Sequence, residues 1–133
     1  RWDKCPQPSK KRYQIKHLMK TSLPVQAIAS DVCVAPQLTP DAMSEAAKAG
    51  FRSVVNNRPD FEEGPEQPTS AQIEEAALAA GLQYRHLPVS GGYQTPEQVA
   101  AMAVLLQELP RPMLMFCRSG ARSTRLYALA TSG

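Results

Sequence analysis

Aspartate is the residue this 133-residue chain runs out of: after Asp60 there is none. Any mechanism that takes a proton from a late-sequence aspartate is therefore closed to it. Cysteine is scarce too. Three cysteines, an odd number without paired spacing, exclude a disulfide framework and point to a reducing, cytoplasmic setting. Cys33 lies in the apolar run Val32-Cys33-Val34-Ala35 and reads as packing, while Cys5 sits in a polar leader. With two histidines and no Cys/His cluster at ligand spacing, no metal site and no cofactor are expected. Long apolar runs are also missing, and nothing approaches the roughly 18 residues that would span a membrane. What remains is the composition of an ordinary single globular domain, 43% hydrophobic and 20% charged.

The net charge of +3 hides an asymmetry. Residues 1–22 carry seven Lys/Arg against Asp3, a balance of +6, and the remainder carries eight Lys/Arg against eleven acids, −3. A basic arm can serve nucleic acid or a membrane surface. The duller reading is preferred, because the chain does not begin with methionine and Met19 would make a natural start for a domain. Residues 1–22 are read as a leader or extension, 23–133 as the domain, and neither a nucleic acid nor a membrane partner is expected.

Strand and helix signals alternate through that domain. Ala27–Ala29 and Val32–Ala35 read as short strands around a turn at Ser30-Asp31. Thr39-Pro40-Asp41 reads as a helix start with threonine as cap, and Gly50 as its stop. Phe51–Asn56 is the next strand, followed by a long loop over 57–68. Thr69 and Thr95, each followed three residues later by glutamine, read as capping boxes. Between the two helices they open, Leu82–Val89 reads as a strand, and Pro110 and Pro112 close the second helix before the apolar strand 113–116. The pattern implies one α/β domain with a mainly parallel central sheet and helices on both faces.

The last strand feeds a glycine-containing turn and then a helix through Cys117-Arg118-Ser119-Gly120-Ala121-Arg122-Ser123. That geometry aims backbone N–H groups and a helix N-terminus at one point. Such a niche lowers a thiol pKa from about 8.5 to roughly 3.5–7.5, so Cys117 is read as a nucleophilic thiolate and Arg122 as its catalytic anion partner. The bland alternative, a buried cysteine serving only as a small hydrophobe, stands beside it. Ligands of open α/β sheets bind beyond the carboxyl ends of the strands. There the loops 57–68, 90–95 and 117–122 should converge, with Arg58, Arg118 and Arg122 facing one anion. Arg118, Ser119, Gly120, Ala121 and Ser123 complete the expected binding loop, Ser123 orienting the thiolate and Ser119 serving mainly as a loop or cap residue. Asp60 either supplies an acid, holds Arg58 or caps a turn; His86 and Glu97 read as a hydrogen-bonding histidine and a first-turn helix residue.

Three stretches in order, Val34-Ala35-Pro36-Gln37, Asn57-Arg58-Pro59-Asp60 and Phe116 to Ser123, resemble the phosphatase-like domain of the bacterial β-lactamase-hydrolase-like proteins over about residues 19–133. The resemblance implies a cysteine-phosphatase-like α/β fold. It also implies company, since such domains occur alone or fused to a persulfide-dioxygenase-like metallo-hydrolase or a sulfide:quinone oxidoreductase, and have been described both as phosphatases and as sulfur transferases. Two features tilt the expectation toward sulfur. Only four residues separate Cys117 from Arg122, a spacing similar to many rhodaneses, and the loop where a phosphatase acid is expected reads Ser90-Gly91-Gly92-Tyr93-Gln94. The leading expectation is thus a rhodanese-type sulfurtransferase. It would move sulfur from thiosulfate or a persulfide to a thiol such as glutathione through a Cys117 persulfide. A cysteine-dependent phosphatase acting on phosphate esters, and a non-catalytic anion-binding or docking module, are the alternatives.

Overall fold

The computed structural model describes residues 21–132, so the basic leader with Cys5 and Met19 lies almost wholly outside the described residues. Five strands, β1 (Gln26–Ala29), β2 (Val32–Ala35), β3 (Ser53–Asn56), β4 (Gln83–His86) and β5 (Met113–Phe116), form one sheet in the order β1-β2-β5-β3-β4. β1 pairs antiparallel with β2 across the Ser30-Asp31 turn; the other pairings are parallel. Among the described residues, four helices connect or follow them: α1 (Asp41–Lys48), α2 (Ser70–Ala79), α3 (Pro96–Glu108) and α4 (Ala121–Thr131).

The sheet is a sandwich filling because its strands alternate. On β5, Leu114 and Phe116 join Cys33, Ala35, Val54 and Tyr84 against α1 and α2, where Met43, Ala46, Ile73 and Ala77 pack. Met113 and Met115 point the other way, with Val32, Val34 and Val55, against Met102 and Leu106 of α3 and Leu126 of α4. A parallel strand covered on both faces has to be apolar on both, which is why 113–116 is an unbroken hydrophobic run. Cys33 has no solvent exposure and is a core residue.

Element ends follow local chemistry, with two departures from the reading above. Thr69 and Thr95 do form capping boxes, each hydroxyl accepting from the glutamine N–H three residues on while that glutamine's side chain accepts from the threonine N–H. Thr39 does not cap α1. Pro40 holds the N-cap position without a side-chain bond, and the Thr39 carbonyl accepts from Ala42 N–H at 3.0 Å. The 82–89 strand is also shorter than its apolar pattern, because beyond His86 the chain turns to meet the β3 loop: Leu87 and Val89 N–H donate to the Asn56 and Asn57 carbonyls.

Candidate active site

β5 ends at Phe116 and delivers Cys117 to the carboxyl edge of the sheet, between β2 and β3. The chain turns at once. Gly120 is in the left-handed region at φ 95°, serves as the N-cap position of α4, and donates its N–H to Cys117 Sγ at 3.0 Å. A side chain there would be strained whatever the space around it, so the residue that aims this amide at the sulfur needs to be glycine. Cys117 has no solvent exposure. Burial alone would raise its pKa; N–H groups of Ser123, Gly120 and Ser119, together with the Ser123 hydroxyl, outweigh it and leave the thiol below its ordinary value. The loop of amides expected from the sequence is therefore present and is aimed at the sulfur. Ser119 behaves mainly as a loop residue, its hydroxyl accepting from Ala121 N–H at 3.3 Å.

The three arginines also converge, but on carboxylates of the chain itself. Arg122 donates through Nη1 and Nη2 to Glu62 at 3.0 and 3.3 Å and through Nη1 to the Val89 carbonyl at 3.1 Å. Arg58, only 2% exposed, donates through Nε to the same Glu62 at 2.7 Å and through Nη1 to Gln37 at 3.0 Å. Glu63 bridges the remaining gap, 3.1 Å from Arg58 Nη2 (outside hydrogen-bond geometry) and 3.3 Å from Arg118 Nε. Burial would depress the Arg58 guanidinium, yet Glu62 and Glu63 hold it above its usual value. For Glu62, burial pushes upward and the bonds from Arg58 and Arg122 win, so it is held below the ordinary carboxylate range.

Expecting all three arginines to face an outside anion therefore needs correction. Glu62 and Glu63 fill the two guanidinium clefts, because the 57–68 loop folds back over the site. Neither residue stood out in the sequence. Two consecutive glutamates in a Pro/Gly-rich loop look like a solvated turn, and only the fold shows which cations they meet.

Of the three roles left open for Asp60, the structure shows the cap and not the acid: its Oδ1 accepts from Ser70 N–H at 2.7 Å, at the start of α2. His86 bonds the Arg58 carbonyl at 2.9 Å and Glu97 occupies the first turn of α3, both in the bland roles expected of them. The 90–95 loop closes on itself through Ser90 Oγ, which donates to the Tyr93 carbonyl and accepts from Tyr93 N–H, and it contains no carboxylate. Gly91 packs on the Arg122 guanidinium, where an added Cβ would lie 3.5 Å from Nη2. A hollow of about 210 Å³ opens between Gly91, Arg118, Ser119, Ala121 and Arg122; Cys117 does not line it. Among the described residues no group of three or more His, Cys, Asp or Glu could hold a metal ion, and no helix is long and apolar enough to cross a membrane.

Asn57 did not stand out in the sequence either. It is fully buried, and its Oδ1 accepts from the Ser123 hydroxyl at 2.8 Å while its Nδ2 donates to the Leu87 carbonyl at 3.0 Å. It stands beside the Arg58 that drew attention to its motif.

Residues 24–133 match the model of the phosphatase-like domain of the beta-lactamase hydrolase-like protein. The chain belongs to that family. Among the relatives that bear the name beta-lactamase hydrolase-like protein, two illustrate the match. The one from Agrobacterium fabrum is 41% identical over 80 residues, 60% of this chain and 18% of that protein. The one from Xylella fastidiosa (strain Temecula1) is 35% identical over 99 residues, 74% of this chain and 23% of that protein. The chain thus spans about a fifth of the length of the relatives it matches.

Among solved structures, a candidate phosphatase from Neisseria meningitidis superposes with a TM-score of 0.73 at 28% identity, covering 80% of this chain and 75% of that one. The core catalytic domain of an S. cerevisiae PP-IP phosphatase superposes at 0.55 and 15% identity, covering 75% and 59%, and shows the fold alone. These findings overturn the rhodanese-type expectation: this phosphatase-like domain shares the cysteine-phosphatase-like fold. The four-residue spacing between Cys117 and Arg122 was a poor guide, since it measures loop length and not the group the loop receives. Arg122 sits at the second position of α4, held by Glu62 and Val89, while the amides before it still converge on the sulfur.

Proposed function

We propose that the domain is a cysteine-dependent phosphatase with Cys117 as nucleophile. One observation carries the reading: a buried sulfur held below its ordinary pKa by amides of a strand-to-helix turn, one of them at 3.0 Å. In the first step the Cys117 thiolate attacks phosphorus; the S–P bond forms as the ester P–O bond breaks, and the leaving oxygen departs with the electron pair. In the second step water attacks phosphorus, the S–P bond breaks, and the sulfur recovers its pair as thiolate while inorganic phosphate leaves. In this reading the loop amides hold the non-bridging oxygens, and Arg122, once released from Glu62, holds the charge that develops on them. In this reading Arg118, 66% exposed, steers the incoming anion.

No carboxylic acid is placed to protonate the leaving oxygen among the groups just described, for Glu62 is held anionic between two arginines and Asp60 is occupied at α2. Protonation by a positioned acid typically contributes about 10²–10⁴ in rate. The reading therefore favours phosphate esters whose leaving group is stable as an anion, such as aryl phosphates, over alkyl phosphates.

A second reading draws on the zero exposure of Cys117 and the filling of the arginine clefts by Glu62 and Glu63: a module that binds anions without chemistry. One experiment separates the two. The protein and its Cys117→Ser variant are given an aryl phosphate, and phosphate release and intact mass after rapid acid quench are recorded. Phosphate release together with a phosphoryl adduct on Cys117, both absent from the variant, supports the phosphatase. Equal phosphate binding by both proteins with no release supports the binding module.

A further inference from the structure

The chain supplies anions to its own arginines. Glu62 meets Arg122 end-on, Oε2 accepting from Nη1 at 3.0 Å and Oε1 from Nη2 at 3.3 Å. That two-pronged fit is also the one a guanidinium offers to two oxygens of a phosphate. Glu63 lies 3.3 Å from Nε of Arg118, the other arginine of the 117–122 loop. An anion arriving from solvent thus finds both loop arginines held. It cannot share the Arg122 fork with Glu62, because two anions would then stand side by side at a side chain only 11% exposed.

Little else holds the segment that carries these carboxylates. Among the described residues, the hydrogen bonds and ion pairs of Phe61–Glu66 leave the 57–68 loop only through Glu62 and Glu63, to Arg122 and Arg118. The loop is pinned outside that segment, by Asp60 Oδ1 on Ser70 N–H at 2.7 Å and by Gln67 Nε2 on the Pro59 carbonyl at 2.8 Å. Phe61 stands at φ 61°, a region an aromatic residue occupies only when its surroundings impose it. Its ring, 61% exposed, is not packed to impose it; the turn that seats Glu62 and Glu63 does. Arg58 bonds Glu62 at 2.7 Å from within the same loop, so Glu62 has a cation to stay with when it leaves Arg122.

We propose that Glu62 and Glu63 form an autoinhibitory latch, tethered competitors that hold Arg122 and Arg118 until a tetrahedral dianion displaces them. No covalent bond changes: one anion replaces another on each guanidinium, and the segment between Asp60 and Gln67 swings away. The proposal rests on the reading that the 117–122 loop receives a phosphate-like anion. Its readout is the binding of an unreactive anion and not turnover, so it is decided separately from the chemistry.

The test is a calorimetric titration of the full chain with inorganic sulfate at constant ionic strength. A closed latch weakens apparent affinity by the fraction of molecules that are open, so Glu62→Gln is expected to bind sulfate about tenfold more tightly than wild type. Glu66→Gln is the control, since Glu66 lines the hollow beside Arg58 and Arg118 but forms no ion pair with any of the three arginines. It is expected to stay within about twofold of wild type, a charge out of contact being screened. Equal or weaker binding by Glu62→Gln, an equal gain in Glu66→Gln, or no sulfate bound by any of the proteins overturns the latch. None of these results touches the phosphatase reading, which the phosphoryl adduct on Cys117 decides. Should Glu62→Gln fail to fold, wild-type amide resonances give the same decision. Those of Phe61, Glu62 and Glu63 are expected to shift with the same sulfate midpoint as Gly120; a Gly120 shift that leaves them unmoved overturns the latch.

Discussion

Replacing Glu62 by glutamine removes the charge that Arg58 and Arg122 share while keeping the side chain's length. Three charge-assisted contacts are affected, at 2.7, 3.0 and 3.3 Å. Hydrogen bonds to charged groups contribute about 1.5–3 kcal/mol each when well buried. Here the figure must be reduced, since Glu62 is 29% exposed, Arg122 keeps the Val89 carbonyl, and Arg58 keeps Gln37 and the neighbouring Glu63. Arg58 at 2% exposure still loses a partner it cannot replace with water. A destabilisation of about 2 kcal/mol is the result expected from urea unfolding at neutral pH. The pH dependence tests the cause. Because the folded-state pKa of Glu62 lies below its unfolded value, its contribution is complete above about pH 4.5 and is lost as pH falls through the lower, folded value. The gap between wild type and Glu62→Gln should therefore be widest at neutral pH and shrink in acid. A gap that stays constant across that range, or one within about 0.5 kcal/mol at pH 7, would refute the clamp.

Asp60→Ala separates a cap from an acid: about 1 kcal/mol of stability should go, with kcat/KM for an aryl phosphate retained. A fall of about 10² or more in rate would return Asp60 to the chemistry. Gly120→Ala meets no hard contact, its Cβ lying 3.6 Å from Ala35, but φ 95° is costly for alanine, by about 1 kcal/mol or more. Unfolding should show that loss, and relief of the strain should turn the 120 amide from the sulfur and raise the Cys117 midpoint in a pH titration of thiolate absorbance; an unchanged midpoint counts against the amide's role. Finally, with the Cys117 pKa lowered, the acid limb of kcat/KM should reach its midpoint below the ordinary thiol value of about 8.5, whereas a midpoint at or above that value would contradict the lowered thiol.

Much of this was readable from the residues alone because the signals are local. Apolar runs, glycine stops and the paired Thr and Gln of the capping boxes act within one or two turns of chain, so the alternation of strands and helices could be written down before any coordinates. Cys117 and Gly120 belong to a single connection, and their roles as sulfur and left-handed turn depend on that connection only. The reaction was less legible. Spacing between a cysteine and an arginine reports loop length, and the same length serves different chemistry, which is why sulfur transfer was expected and the family then pointed to phosphate.

The chain's own order of residues determined a parallel α/β domain with a thiol at the carboxyl edge of its last strand, since both follow from periodicity and turn chemistry over a few residues. Only the tertiary structure decided what surrounds that thiol. Glu62 meets Arg122 across sixty positions and Asn57 meets Ser123 across sixty-six, contacts made because β3 and β5 lie side by side in the sheet. Nothing within one segment records a neighbour that distant, and it is those neighbours that fix the charge on the arginines and the direction of the serine's proton.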